Sequence, residues 1–313
     1  MAVRARAGLL RHALALSALP LAAGCATAYP DLTQSRSPCR SEPGGWCEFV
    51  RAAAVETYPY AMLSSNAYDD EDAYTALPSA FLKREQADND DSGLAYTMFD
   101  RYQVSGGTPT LKARVMAFRG TEAGSTSDIF SGSLGDGQRE RARVVYRAER
   151  AALDAEGYTD IPIEATGHSL GGALATQISI ENPKVRAFVF NTSPFFSGSP
   201  EQNDTNRIAI TERGEVLRLL RQYKAPPASE TLIINCNPSA NAGEKHSIRK
   251  LADCLTWIAA YEDETAFKAL EPNGIDKPEI ECGEAEKPHP GPDADAVFCP
   301  HTPKTETETE TNG

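Results

Sequence analysis

The sequence predicts an α/β fold with a mainly parallel sheet flanked by helices. Three observations point there. Strand-like and helical segments alternate along most of the chain, as βα units require. Val185 to Phe190 is a near-continuous apolar run, the mark of a strand buried on both faces. A third segment, Ile161 to Thr166, reads as a strand that runs into Gly167-His168-Ser169-Leu170-Gly171-Gly172 and then directly into a helical pattern.

The elements follow in chain order. From Trp46, the apolar residues Phe49, Val50, Ala53 and Ala54, and then Tyr60, Ala61 and Leu63, recur at helical spacing and suggest two short helices. Asp69 to Asp91 is polar and acidic and reads as loop. Leu94 to Tyr102 alternates as a strand does, and Leu111 to Phe118 is a second strand ending in Arg119-Gly120-Thr121. Gln138 to Ala155 is a charged helix with Ala, Val and Leu along one stripe. Ile161 to Thr166 carries Pro162 at its start, where a strand tolerates it. Gly172 to Asn182 is a helix stopped by Pro183. Arg207 to Thr211 and Thr231 to Asn235 read as two more strands, and Ile248 to Leu270 as largely helical.

The chain is organised around a folded domain over 46–270. Ahead of it, Arg4, Arg6 and Arg11 form a positive region without acids, and 13–23 is a short apolar stretch, so 1–24 reads as a secretory signal. That stretch ends in Leu21-Ala22-Ala23-Gly24-Cys25, which resembles a bacterial lipobox. The resemblance implies that Cys25 carries the lipid and anchors the protein in the cell envelope, with the outer membrane favoured because Ala26 follows the Cys. Several acyl chains, each adding about 0.8 kcal/mol per buried methylene, hold a protein stably. Residues 25–45, rich in Ser, Pro, Thr and Gly, read as a tether, and 271–313 as an acidic, Pro-rich, largely disordered tail.

A formal net charge of −13 argues against nucleic acid as a partner, since phosphates need a basic face. Setting Cys25 aside leaves an even number of cysteines, which an exported protein uses as disulfides. Their clustering suggests Cys39–Cys47, Cys236–Cys254 and Cys282–Cys299. No Cys-x-x-Cys occurs, which argues against a metal site, and no cofactor is implied.

The chemistry centres on Gly167-His168-Ser169-Leu170-Gly171. A strand that turns sharply into a helix exposes its serine hydroxyl, and small residues two before and two after permit the close approach. Such a nucleophile needs a base. Of the five histidines, His12 lies in the signal, His168 beside the nucleophile is read as pointing elsewhere, and His289 and His301 lie in the tail. His246 remains, after Ser169 in the order this arrangement requires. The acid belongs between them, after a strand. Glu215 follows a glycine turn and precedes Val216 and Leu217; Glu212, Asp204 and Glu230 compete with it.

On these residues the stretch from about 94 to 260 resembles the class 3 lipase family of α/β-hydrolases. Val115-Met116-Ala117-Phe118-Arg119-Gly120-Thr121 is similar to the family's strand and oxyanion turn, and Gly167 to Thr176 to its nucleophile elbow. The resemblance implies that Thr121 and Leu170 donate to the oxyanion and that Asp128 orients the Thr121 hydroxyl. Pro194 fits the family's proline after the following strand. The family has Asp where Glu215 stands. Its His-x-Gly-Phe segment is missing, and its lid position, about 122 to 138, carries few apolar residues here. The expected function is that of an exported, lipid-anchored serine hydrolase acting on ester or lipid substrates; the alternative is an inactive hydrolase fold serving as an envelope binding protein.

Overall fold

The computed structural model describes residues 39, 42–68, 70, 73–87, 92–120, 136–222, 224, 226–281 and 290. Within them the strands join one sheet in sequential order: β1 (Phe81–Ala87), β2 (Tyr96–Ser105), β3 (Thr108–Phe118), β4 (Ile163–His168), β5 (Arg186–Phe190), β6 (Arg207–Glu212) and β7 (Glu230–Ile234). β1, β2 and β3 pair antiparallel; β3 through β7 pair parallel.

The middle of the sheet is buried on both faces, and side-chain alternation divides its apolar residues between two cores. Val115 and Ala117 of β3, Phe188 and Phe190 of β5, and Ile208 and Ile210 of β6 face α1 (Glu48–Asn66) and α5 (Ile248–Ala259). Met116, Phe118, Ala187, Val189 and Ala209 face α2 (Asp136–Ala155) and α3 (Leu170–Glu181). Burying a Phe at either position contributes roughly 2–3 kcal/mol. α3 is buried almost all round, from Leu170 through Ile180, because the elbow drives it straight into the second core.

The polar side chains of β4 that enter the first core are paired, as low-dielectric surroundings demand. On β4, Glu164 accepts from Tyr60 Oη (2.5 Å) and from Arg101 Nη2 (2.8 Å). Thr166 donates to the Phe188 carbonyl (2.9 Å).

Three elements differ from the sequence expectation. The two short helices are one, α1, with Pro59 inside it. An internal proline costs about 3 kcal/mol, but Thr57, Tyr58, Tyr60 and Ala61 are buried on either side of it, which keeps the two turns in line. The acidic stretch read as loop contains β1, an edge strand in which Phe81 is buried while Leu82 to Glu85 are exposed. With one buried side chain it has no apolar alternation to read, and its charges blunt an open sheet edge. The last helical stretch breaks into α5 and α6 (Glu264–Leu270), with the Asp263 carboxylate capping α6 by accepting the N–H groups of Thr265 and Ala266.

Both domain boundaries also move outward. Gly44 and Gly45, assigned to the tether, are buried, and the Cys39–Cys47 disulfide ties that segment to α1. Residues 271–281, assigned to the tail, pack onto the body: Ile275 is buried, and Glu281 accepts from Trp46 Nε1 (3.0 Å), Trp257 Nε1 (2.8 Å) and Tyr261 Oη. Composition gave no sign of this, because one buried carboxylate with three donors anchors an otherwise polar segment. The signal, Cys25, Thr121, Asp128, most of the lid position and the Cys282–Cys299 pair lie outside the described residues. Among the described residues no helix is long and apolar enough to cross a membrane. A mainly parallel sheet with helices on both faces, turning sharply from β4 into α3, is the α/β-hydrolase fold.

Candidate active site

The parallel strands all deliver their carboxyl ends to one edge of the sheet, and the chemistry-bearing residues gather there. β4 ends in His168, and Ser169 stands between strand and helix with φ 56° and ψ −125°. Such a backbone costs about 1–3 kcal/mol in a non-glycine residue. It persists because its surroundings are tight. A Cβ on Gly167 would lie 2.4 Å from the backbone of Gly171, and a Cβ on Gly171 would lie 2.2 Å from the Phe118 carbonyl oxygen. The Ser169 N–H donates to the Phe190 carbonyl (3.2 Å), and the Ser169 carbonyl accepts from the Ser193 N–H (3.0 Å).

His246 arrives on a one-turn 3₁₀ segment, Glu244–His246, just before α5. Its Nε2 lies 3.0 Å from Ser169 Oγ and its Nδ1 lies 2.7 Å from Glu215 Oε2. A carboxylate only accepts, so Nδ1 carries the proton and Nε2 is left to accept from the serine hydroxyl. The Cys236–Cys254 disulfide spans this loop, joining the end of β7 to α5. Closing a loop of that size is worth roughly 3 kcal/mol in the chain-entropy account. The Lys245 carbonyl accepts from Asn191 Nδ2 (3.2 Å) and the His246 carbonyl from His168 Nε2 (2.7 Å), so side chains just after β5 and at the end of β4 also hold it.

His168 gives both ring nitrogens to groups other than the Ser169 hydroxyl. Its Nε2–H is committed to a carbonyl, so Nδ1 accepts from the Tyr68 hydroxyl (2.8 Å). Burial, and then the neighbouring His246, hold its pKa well below the usual histidine value. It stays neutral and braces the loop from beneath.

Glu215 follows β6 through Gly214, whose φ of 81° makes the turn. Its carboxylate is buried. Oε2 also accepts the Leu217 N–H (2.9 Å), and Oε1 accepts from Arg221 at the end of the short helix α4 (Arg218–Arg221). The competing acids are elsewhere. Asp204 and Glu230 sit at the amino ends of β6 and β7, the opposite edge of the sheet. Glu212 ends β6 on the correct edge, but its carboxylate takes the N–H groups of Cys236 (3.0 Å) and Asn237 (3.1 Å). Arg221, Asn191 and Tyr68 carried no motif and were not identified from sequence.

Leu170 opens α3, where a first-turn N–H has no intrahelical acceptor and the helix end favours negative charge. Among the described residues no cluster of three His, Cys, Asp or Glu side chains could hold a metal ion.

Burial raises the Glu212 carboxyl from the usual 4.5 to about 7, against the backbone N–H groups that favour its charged form. A carboxyl whose folded pKa is raised binds its proton more tightly in the folded state. The stability it contributes is therefore complete below about pH 4.5 and is lost as pH rises through about 7. Glu212→Gln should remove that loss while keeping one acceptor for Cys236 and Asn237. The variant should gain on wild type between pH 5 and pH 8 by up to about 3 kcal/mol, read by urea unfolding at both pH values. A stability difference independent of pH would mean that Glu212 does not titrate on folding.

A family model described as a Tle-like phospholipase domain matches residues 59–208, from within α1 to the start of β6, and so includes Ser169 but neither Glu215 nor His246. No curated protein matches the chain. Among solved structures, the lipase of Rhizopus microsporus var. chinensis is 15% identical, with 52% of this chain and 67% of that one covered and a TM-score of 0.39. The triacylglycerol lipase of Penicillium expansum is 14% identical, covering 59% and 81%, with a TM-score of 0.42. The mono- and diacylglycerol lipase of Aspergillus oryzae is 19% identical, covering 54% and 71%, with a TM-score of 0.32. In its fold and in the matched segment, the chain is similar to lipases and phospholipases.

Proposed function

We propose that this protein hydrolyses the acyl esters of lipids, phospholipids foremost, by a serine mechanism. The observation that carries the reading is the unbroken run of hydrogen bonds from Ser169 through His246 to Glu215, at 3.0 and 2.7 Å. The phospholipase-like match over 59–208 favours a phospholipid over a neutral lipid.

In the proposed reaction Ser169 Oγ attacks the acyl carbonyl carbon while His246 Nε2 takes the hydroxyl proton. Glu215 holds the tautomer that leaves Nε2 free and stabilises the imidazolium. The carbonyl oxygen becomes an oxyanion and accepts from the Leu170 N–H and from Thr121, with Asp128 orienting the Thr121 hydroxyl. Each such donor lowers the barrier by roughly 3 kcal/mol. Collapse expels the alcohol, which leaves with the proton from His246. Water, deprotonated by the same imidazole, then releases the fatty acid and restores Ser169.

The amino-terminal pattern ending at Cys25 supports an exported form held at the cell envelope by lipid, facing the substrate membrane. The intact mass of the membrane-extracted protein tests that part: it should correspond to a chain beginning at an acylated Cys25.

The catalytic reading is tested by reaction with a fluorophosphonate, which needs an activated serine, followed by assay on phosphatidylcholine vesicles and emulsified triacylglycerol. Labelling and faster fatty-acid release from the vesicles are expected. A folded, disulfide-bonded protein that neither labels nor releases fatty acid would return the chain to the binding-protein alternative. Labelling with preference for triacylglycerol would keep the mechanism and overturn the substrate.

A further inference from the structure

Arg221 has no place in the reaction described above, yet it is a buried guanidinium against the acid that holds the base. Its Nη2 donates to Glu215 Oε1, and its Nη1 donates to the Thr192 carbonyl at 2.7 Å. The next residue, Ser193, gives its N–H to the Ser169 carbonyl at 3.0 Å. One planar fork therefore ties the loop after β6, which carries the acid, to the segment after β5, which holds the nucleophile's own carbonyl. Glu215 is consequently gripped on both oxygens: Oε1 by Arg221, and Oε2 by the Leu217 N–H and His246 Nδ1.

We propose that Arg221 is a positioning residue for the acid–base pair, fixing the Glu215 carboxylate against His246 and, through its charge, limiting how strongly Glu215 favours the imidazolium. The inference rests on the serine-hydrolase reading. Glu is one methylene longer than Asp and has one more rotatable bond, so a carboxylate on that stem needs a second anchor to hold one position. A guanidinium supplies it in a fixed plane and stays charged when buried. Burial pushes Arg221 down from the usual arginine value and Glu215 opposes that shift, so the charge is retained beside its partner.

The sign of the electrostatic effect follows from the groups around the His246 ring. Glu215, after β6, favours its protonated form. Neutral His168, at the end of β4, lies with its ring centroid 4.6 Å away. Glu212, at the end of β6, interacts electrostatically with Glu215 and with Lys245, which lies on the base's own loop. The Lys245 ammonium is held by the Pro238 carbonyl at 3.2 Å. Arg221 is the cation in direct contact with Glu215. Removing it leaves the carboxylate uncompensated, which makes His246 easier to protonate.

Three forms of the full chain, wild type, Arg221→Met and Arg221→Lys, decide the question. The readouts are kcat/KM across pH and the NMR titration of the His246 ring, which needs no turnover. Arg221→Met should lose about ten- to a hundredfold in kcat/KM near its optimum. Its acid limb and ring titration should both move to higher pH. Arg221→Lys keeps the charge and loses the fork: its limb should stay at the wild-type position, with the rate between the other two. A folded Arg221→Met with wild-type rate and unmoved titration would overturn the proposal. So would an equal loss of rate in both variants with no shift in either, which is what a merely structural arginine gives. Should Arg221→Met not fold, Arg221→Lys decides alone, because a limb moved upward despite the retained charge overturns the proposal. Failure of the parent reading is recognised separately, as wild-type protein that does not react with fluorophosphonate.

Discussion

Ser169→Ala is expected to lower ester hydrolysis at least about a thousandfold and to abolish fluorophosphonate labelling, while the folded state keeps its stability to within about 1 kcal/mol. The substitution removes one oxygen, whose hydrogen-bond partner in the structure is His246 Nε2. That imidazole remains anchored through Nδ1 to Glu215, so the loss does not loosen the base. Alanine keeps the Cβ, so the φ of 56° remains as strained as in the parent and no relief masks the loss. Residual catalysis from oxyanion donors alone stays far below the intact triad. Turnover above about a thousandth of wild type, in protein whose circular dichroism and urea midpoint are unchanged, would place the nucleophile elsewhere.

Glu215→Gln carries the second large effect, a loss of about a thousandfold or more in kcat. The amide can face His246 Nδ1 with its NH2 group. Nδ1 then accepts, the proton sits on Nε2, and the nitrogen facing Ser169 can no longer take a proton from it. If the amide oxygen faces His246 instead, the NH2 group points at the Arg221 fork, donor against donor. Either way Arg221 loses its carboxylate inside the protein, which costs about 1–3 kcal/mol of stability. A sequence-based account sees an isosteric swap with little effect on folding; the Glu215–Arg221 ion pair changes that expectation. Steady-state kinetics and urea unfolding together check it. A fully active Glu215→Gln would remove the carboxylate from the mechanism.

How far these residues can be read from the chain depends on whether their signal is local. The elbow is local: strand, Gly167, Ser169, Gly171 and helix are contiguous, and the clashes that exclude a Cβ at Gly167 and Gly171 arise from backbone within the same turn or the adjoining β3. His246 could be singled out because so few histidines compete. Glu215 could be ranked against Glu212, Asp204 and Glu230 but not separated from them. All four lie between 204 and 230, and what distinguishes them is which end of a parallel strand each occupies and which N–H groups its carboxylate meets. For Glu212 those N–H groups belong to Cys236 and Asn237, more than twenty residues away.

The same division runs through the fold. The near-continuous apolar run at β5 and the alternation from Leu94 to Tyr102, which holds most of β2, already marked strands, because the period of two and the burial of both faces are written in the side chains themselves. β1 was invisible, because an edge strand is held by main-chain hydrogen bonds to β2 and asks almost nothing of its own side chains. α1 looked like two helices, because the packing that carries it across Pro59 comes from the sheet and α5, not from its own sequence. Glu281 looked like part of a solvated tail until Trp46, Trp257 and Tyr261 were brought around it. From the chain alone come the βα alternation from β3 onward, the strained serine and the shortlist of its partners, since each is a property of neighbouring residues. Only the folded arrangement reveals which carboxylate faces His246, that His168 braces the His246 loop, and that Arg221 grips Glu215. Each of these is a contact between segments distant in the chain or separated by a turn, and the free energy of a buried charge depends on who surrounds it rather than on who precedes it.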